Sequence, residues 1–195
     1  MIESTRPEAK AALLERVVEH LAEAGVGDRS LRGIAAGAGT SHRMLIYHFG
    51  SKERLLVEVV RAVERRQRTA LARLEEEVAG EAGEATEPAD VARAFWRLLS
   101  DPALAPHERL FFELYGAALA GRSGAAPLLD GIVDTWLEPG TELVARGLPP
   151  GDPRARARAR ALLAFARGAL LDLLATGERA EVDWMVDEFI DLAFP

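Results

Sequence analysis

Residues 31–49 read LRGIAAGAGTSHRMLIYHF, two short helical patterns separated by a glycine-threonine turn. In the first pattern, Leu31, Ile34 and Ala35 have the i, i+3, i+4 spacing of one buried helix face. Gly39 supplies the left-handed backbone with which a chain leaves a helix sharply. The stretch therefore predicts two helices joined by a tight turn.

The second helix of this pair carries polar side chains at its start. Ser30, and then Thr40 or Ser41, are suitable N-terminal caps for the two helices. Leu45 and Phe49 are one turn apart and are predicted to point inward. The outward side chains are then Ser41, His42, Arg43 and, one turn on, Tyr47. Hydrogen-bonding side chains on a helix that fits the major groove can read base edges, so the pattern predicts a helix-turn-helix.

The charge of this stretch differs from that of the whole chain. Between Arg29 and Lys52 there are four basic residues and no acidic residue, whereas the full chain has a formal net charge of −7. In an acidic protein, a segment free of carboxylates is typical of a surface that meets a polyanion. The alternative is a helical hairpin in a core, whose basic residues are merely solvated.

Residues 40–56, above all YHFGSKERLL over 47–56, resemble the helix-turn-helix of TetR-type (tetracycline-repressor-like) transcriptional regulators. The close resemblance covers about residues 10–60, and Ile46 stands where that family usually has a tyrosine. Tyr47, His48 and Lys52 match family positions that contact DNA, and Arg32 matches one on the preceding helix that can reach it. The predicted DNA-binding residues are Arg32, Thr40, Ser41, His42, Arg43, Tyr47, His48 and Lys52.

Length and composition fit a globular regulator. The chain has 195 residues, of which 49% are hydrophobic and 28% charged, and it has no cysteine. Disulfides and thiolate metal sites are therefore excluded. Charged residues interrupt every apolar run before the roughly 20 residues that a membrane span needs. The N-terminus has no apolar signal core, so a cytoplasmic location is expected.

Helical periodicity continues to the end of the chain, without a convincing strand. We predict an all-α fold of about nine helices, with a three-helix helix-turn-helix head and a larger helical domain for ligand binding and dimerisation. The predicted domains are residues 1–50 and 51–195, with a helix over 51–79 as connector. A Gly- and Glu-rich break is expected over 80–88. Pro139 predicts a kink or break of the seventh helix near Glu138.

Aromatic residues concentrate in the second part of the chain. The sixth helix, around Phe111, is apolar on more than one side, which indicates burial or a cavity wall. Ordinary core packing is the alternative for all of these aromatics. The TetR resemblance implies a variable small-molecule chamber in this half and a largely apolar effector. The predicted ligand-binding residues are Phe95, Leu99, Phe111, Phe112, Glu113, Tyr115, Trp136 and Phe165.

The last two predicted helices carry long apolar stripes. Each stripe is longer than one short neighbour can cover, and Ala164 with Gly168 offers a smooth strip for close helix approach. A pair of these helices from each of two chains would form a four-helix bundle, so we predict a homodimer. The predicted interface residues are Leu162, Ala164, Phe165, Gly168, Ala169, Val182, Met185, Val186, Phe189 and Ile190.

The sequence gives no positive sign of catalysis. The four histidines lack metal-ligand spacing, and no phosphate loop or nucleophile elbow is present. We therefore predict no enzyme activity, cofactor or metal. The predicted function is a DNA-binding transcriptional regulator, by resemblance a ligand-released repressor that binds a palindromic operator as a homodimer. The alternative is an all-helical small-molecule binder or enzyme whose helix-turn-helix-like hairpin does not bind DNA.

Overall fold

The computed structural model describes residues 5–82, 87–121 and 126–194, and within these residues the chain forms helices and no β-strand. The predicted all-α fold is confirmed. None of the described helices is both long and apolar enough to cross a membrane. The nine α-helices of the described residues are α1 (Thr5–Ala24), α2 (Leu31–Gly37), α3 (His42–Phe49), α4 (Lys52–Ala82), α5 (Pro88–Leu99), α6 (Ala105–Leu119), α7 (Asp134–Arg146), α8 (Ala155–Thr176) and α9 (Arg179–Ala193).

Side-chain caps define the two short helices α2 and α3. The Ser30 hydroxyl accepts a hydrogen bond from the Gly33 N–H at 3.2 Å, and Ser41 accepts one from Met44 at 3.2 Å. Each bond satisfies an N–H group that the first turn of a helix leaves free. Gly39, with φ 63°, supplies the left-handed turn between them. The predicted helix-turn-helix is therefore present, with these caps at its two helix starts.

Two compact units make up the described chain. Unit 1 comprises the described residues of 1–66 and 105–130, which include α1, α2, α3, the first half of α4, and α6. Unit 2 comprises those of 67–104 and 131–195, which include the rest of α4 with α5, α7, α8 and α9. The boundary predicted after residue 50 separates a DNA-binding domain from a ligand-binding and dimerisation domain, and it stays a prediction. In these units α6 belongs with the helix-turn-helix, because it packs on α1.

Each unit has its own apolar core. In unit 1, side chains from α1 to α4 and from α6 are almost fully buried, among them Leu21, Ile34, Leu45, Leu56 and Leu114. In unit 2, one cluster consists of Leu71, Val91, Trp136 and Leu143, and a second of Leu137, Val144, Ala155 and Ala159. Full burial of a large apolar side chain contributes about 1.5–3 kcal/mol, so these clusters fix the helices that carry the sites below.

The structure differs from the sequence predictions around the seventh helix. Of the kink or break predicted near Glu138, the break is wrong, because α7 starts at Asp134 and runs through Pro139 to Arg146. The kink stays a prediction. Pro139 is the sixth residue of α7, so the helix lacks the one hydrogen bond that an N–H at this position would donate to the carbonyl of Thr135, and it continues on both sides.

The bounds predicted for the break, 80–88, are wrong at both ends, because α4 continues to Ala82 and α5 begins at Pro88. Residues 83–86 lie outside the described residues.

Candidate DNA interface and candidate ligand cavity

The outward face of α3 is a mixed polar and apolar surface. Leu45 and Phe49 are buried on one side of the helix. Arg43 and Tyr47 are one turn apart on the opposite side, and both are exposed. A guanidinium can donate two hydrogen bonds to one guanine, and a phenol can donate to a base or a phosphate. This face therefore has the chemistry to read DNA.

The predicted DNA-binding residues are all at least partly exposed, and they lie on α2, on the turn, on α3 and at the start of α4. Exposed among them are Arg32, Ser41, His42, Arg43 and Tyr47, and half-buried are Thr40, His48 and Lys52. The Ser41 hydroxyl caps α3, so its role includes fixing the start of the helix. Their individual DNA contacts stay predictions.

Two apolar side chains on the same face were not among the predicted contacts. Met44 is 42% exposed and Ile46 is 41% exposed, and they flank Arg43 and Tyr47 on α3. Apolar side chains in a major groove contact the 5-methyl group of thymine. Their helical position, off the line of Leu45 and Phe49, was the signal in the sequence that marks them as outward.

The packing of α1 on α2 requires a glycine. A Cβ atom on Gly37 would overlap the imidazole ring of His20, which is half-buried on α1. On the same helix, a Cβ atom on Gly33 would meet nothing nearer than the Ser30 hydroxyl at 3.7 Å. An alanine methyl group would therefore clash at position 37 and fit without a clash at position 33.

Gly37→Ala should destabilise the head by about 1–3 kcal/mol, because the imidazole ring must leave its place. Gly33→Ala should be neutral or slightly stabilising, because alanine is the better helix former. Thermal unfolding of the two variants measures the difference. The double variant His20→Ala, Gly37→Ala should recover part of the loss, and equal melting temperatures for the two single variants would contradict this account.

The link between α1 and α2 is held by α6. The Glu113 carboxylate accepts hydrogen bonds from the backbone N–H of Val26, at 3.0 Å, and of Gly27, at 2.7 Å. Bonds to a charged acceptor are roughly twice as strong as neutral ones. The sequence predicted Glu113 as a ligand contact, whereas here it anchors the segment that leads into the helix-turn-helix.

A second contact joins α6 to α1. His107 Nε2 lies 3.1 Å from a Glu19 carboxylate oxygen, and Arg66 donates to the other oxygen at 2.9 Å. Burial raises the pKa of the Glu19 carboxyl, but the hydrogen bonds from Arg66 and His107 outweigh it and hold that pKa below its ordinary value. The start of α6 is therefore tied to α1 through a carboxylate that is charged at neutral pH.

A cavity of about 120 Å³ lies within unit 2, between α4, α5, α7, α8 and α9. Every residue that lines it is apolar or glycine. Four of the predicted ligand-binding residues line it: Phe95, Leu99, Trp136 and Phe165. Trp96, which was not in the predicted set, also lines it.

The other four predicted ligand-binding residues are on α6 and are not among the lining residues of this cavity. Phe111 stacks on Tyr115 with ring centroids 5.6 Å apart and meets Phe112 edge to face at 5.3 Å. Glu113 makes the backbone bonds described above. The helix that carries these four residues packs on α1 within unit 1. Any role of these residues in ligand binding stays a prediction.

The outer faces of α8 and α9 carry both exposed apolar side chains and charged ones. Three of the predicted interface residues are exposed, namely Ala164, Gly168 and Met185. Three are half-buried, namely Leu162, Phe165 and Phe189. The other four are buried inside unit 2, namely Ala169, Val182, Val186 and Ile190. Beside them lie three exposed large side chains that were not predicted, Leu171, Trp184 (68%) and Leu192 (79%). Because these three large apolar side chains are exposed, a second protein chain could bury them in an interface.

Comparisons with known proteins agree with this geometry. Residues 10–59 match the family model for bacterial regulatory proteins of the tetR family. No curated protein sequence matches the chain.

Solved structures of similar fold cover nearly the whole chain. A transcriptional regulator from Rhodococcus sp. Rha1 is 23% identical, with 94% of this chain and 95% of that one covered and a TM-score of 0.73. The multidrug binding protein EbrR, complexed with imidazole, is 25% identical, with coverage of 97% and 91% and a TM-score of 0.66. A regulator from Saccharomonospora viridis in complex with choline is 22% identical, with coverage of 95% and 96% and a TM-score of 0.70.

The matched segment contains all of α2 and α3, and the larger fold is that of solved regulators over nearly the full length. On these grounds residues 10–59 are a helix-turn-helix segment similar to those of the tetR family, and the chain as a whole has the fold of solved transcriptional regulators.

Proposed function

We propose that the protein binds a palindromic operator as a homodimer and represses transcription until a small molecule fills the cavity of unit 2. The observation that carries this proposal is the outward face of α3, where Arg43 and Tyr47 stand exposed on a helix fixed by Ser41. DNA as target implies action in the cytoplasm.

The cavity supports the ligand-responsive part of the proposal. It is apolar throughout and has room for a small organic molecule. Two solved proteins of this fold hold such molecules, choline in one and imidazole in the other.

The chain itself offers a route from the cavity to the head. Leu99 lines the cavity, and the next residue, Ser100, accepts a hydrogen bond from Arg179 of α9 at 3.2 Å. Residues 101–104 then lead directly into α6, where His107 and Glu113 hold α1 and the α1–α2 link. A ligand that moves the end of α5 would act on α6 and thereby on the helix-turn-helix.

The exposed strip of α8 and α9 supports the homodimer. Small residues such as Ala164 and Gly168 permit close approach of two helices, and Trp184 and Leu192 provide bulky apolar contacts. A two-fold axis through this face would bring each residue near its own copy or a neighbour. An obligate interface of this kind should bury on the order of 2,000 Å² or more.

A second function remains as the alternative, an all-helical small-molecule binder or enzyme that does not engage DNA. The same apolar cavity favours it, because a cavity alone does not require a DNA target.

Fluorescence anisotropy with labelled DNA from the promoter region of its own gene distinguishes the two functions. We expect saturable binding that unlabelled copies of the same DNA displace at least about a thousandfold better than random DNA. Equal displacement by random DNA would contradict the regulator and leave the binder or enzyme.

Base readout and phosphate contact should separate in two variants of the head. Arg43→Ala should relax base preference and weaken operator binding by about 1–3 kcal/mol per half-site, if the guanidinium holds a guanine. Lys52→Ala should weaken binding to all sequences alike and flatten the salt dependence. Titrations over a salt series with operator and point-mutated operators measure both effects. If Lys52→Ala changed the base preference and Arg43→Ala left it intact, the assignment of base readout to Arg43 and of phosphate contact to Lys52 would be wrong.

A further inference from the structure

The wall of the cavity in unit 2 offers no charged group to a cationic ligand. Its side chains are aliphatic and aromatic, and none of them is ionisable. The indole N–H of Trp96 is already donated to the Asp183 carboxylate at 2.8 Å. One charge beside the wall is itself positive, since the guanidinium carbon of Arg68 lies 5.7 Å from the ring centroid of Trp136. Because a cation buried without a partner loses its hydration and gains nothing in return, a cation of the right shape is rejected.

The size and the walls of the cavity narrow the ligand further. A dry apolar cavity of about 150 Å³ in another protein takes up benzene, and this one has about 120 Å³. Phe95 and Trp136 are tilted against each other with centroids 5.9 Å apart, and Phe165 stacks on Phe189 at 3.6 Å. Such ring edges and faces favour an aromatic guest, which can pack edge to face or offset.

We propose that this cavity binds a neutral apolar molecule about the size of a single benzene ring and discriminates against cations of the same shape. This inference rests on the proposed ligand-responsive function and names the chemical class of its effector. It concerns binding to unit 2 alone, so it is testable without DNA.

The tryptophans provide a direct readout. Two of the three in the chain, Trp96 and Trp136, line the cavity, whereas Trp184 is exposed on α9. The full-length variant Trp184→Phe therefore reports on the cavity by its fluorescence. Titration with toluene should give a saturable change, and benzylamine, which is protonated at neutral pH, should bind at least about a hundredfold more weakly.

A pair of alanines on α5 supplies the site control. Ala92 lines the cavity and Ala94, also half-buried, does not. In the Trp184→Phe background, Ala92→Leu should abolish the toluene response by filling the space, and Ala94→Leu should retain it. If benzylamine bound as tightly as toluene, the proposed ligand class would be wrong. If the toluene response survived Ala92→Leu, or if Trp184→Phe alone gave no response to toluene, the proposed site would be wrong. Neither result depends on DNA binding, which the anisotropy experiment tests separately.

A different observation concerns the start of α1. The guanidinium carbon of Arg6 lies 4.9 Å from the ring centroid of Tyr47, above the ring. Tyr47 is 57% exposed and is also met edge-on by His48, with centroids 4.9 Å apart. A guanidinium that stacks on a ring keeps its N–H groups free at its rim, where they can donate to an oxygen of a phosphate. Arg6 precedes the segment that matches the family model.

We infer that Arg6 donates to a DNA phosphate beside Tyr47, which extends the DNA-binding surface to the first turn of α1. This inference also rests on the proposed operator binding. Arg6→Ala should reduce the slope of log affinity against log salt by about 1.8, the value for two lost phosphate contacts, one from each protomer, with base preference unchanged. Arg6→Lys should retain most of the slope, because the charge remains.

Anisotropy titrations of full-length protein over a salt series measure these slopes, with Arg97→Ala, an exposed arginine of α5, as control. The control should have the slope of the parent. A parental slope in Arg6→Ala, or an altered base preference, would overturn the phosphate contact. If the parent protein itself showed no sequence-specific DNA binding, the proposed function would be contradicted, whatever the result for Arg6.

Discussion

The double variant Trp184→Glu, Leu192→Glu should be a folded monomer that binds the operator about 10²–10⁴-fold more weakly than the parent. Both side chains are mostly exposed, at 68% and 79%, so their replacement leaves the core of unit 2 intact. Four buried carboxylates would oppose each other in the dimer, which costs far more than the interface gains. A monomer then loses the advantage of engaging two half-sites at once, which accounts for the fall in affinity.

Sedimentation gives the oligomeric state, and anisotropy gives the affinity for the operator. Leu119→Glu is a matched control, because Leu119 on α6 is 64% exposed but lies outside α8 and α9. It should remain dimeric and retain parental affinity. A dimer of the double variant with parental affinity would show that another surface joins the two chains.

Glu113→Ala should uncouple the cavity from the DNA. In the parent, saturation with toluene should weaken operator binding about 5- to 150-fold, the range of a coupling free energy of about 1–3 kcal/mol. Removal of the Glu113 carboxylate frees the N–H groups of Val26 and Gly27, so a movement of α6 no longer acts on the link before α2. The factor by which toluene weakens operator binding should then fall toward one.

Operator affinity with and without toluene measures this coupling in both proteins. Reciprocity requires operator DNA to weaken toluene binding by the same factor, which provides an internal check. Glu138→Ala, at an exposed glutamate of α7, should keep the parental coupling. Unchanged coupling in Glu113→Ala would mean that the signal reaches the head by another route, of which α4 is the obvious one.

Much of the head could be predicted from sequence because its determinants are local. Ser30 and Ser41 cap helices that start beside them, and Gly39 turns the chain where it stands. The inward pair Leu45 and Phe49 fixes the outward face of α3 through helical periodicity alone. The all-α fold follows from the same kind of pattern, repeated along the chain.

The division of the aromatic residues could not be predicted, because it depends on distant partners. The periodicity of α6 indicates that more than one face is covered, but it does not say by which helix. Packing on α1 assigns α6 to unit 1, and Glu113 finds its partners 86 and 87 residues away in sequence. Likewise, apolar periodicity ranks Val186 and Ile190 above Trp184, although the structure buries the first two and exposes the third.

In the proposed homodimer, two copies of α3 read the two half-sites of a palindrome. Selection of full-length protein on a random DNA library, followed by sequencing, tests it most directly. We predict an inverted repeat whose half-site centres are about 10–10.5 base pairs apart, or a multiple of that distance, since the two helices must meet the same side of the duplex. Enrichment of a single unrepeated half-site by the parent protein, or of no sequence at all, would contradict the claim.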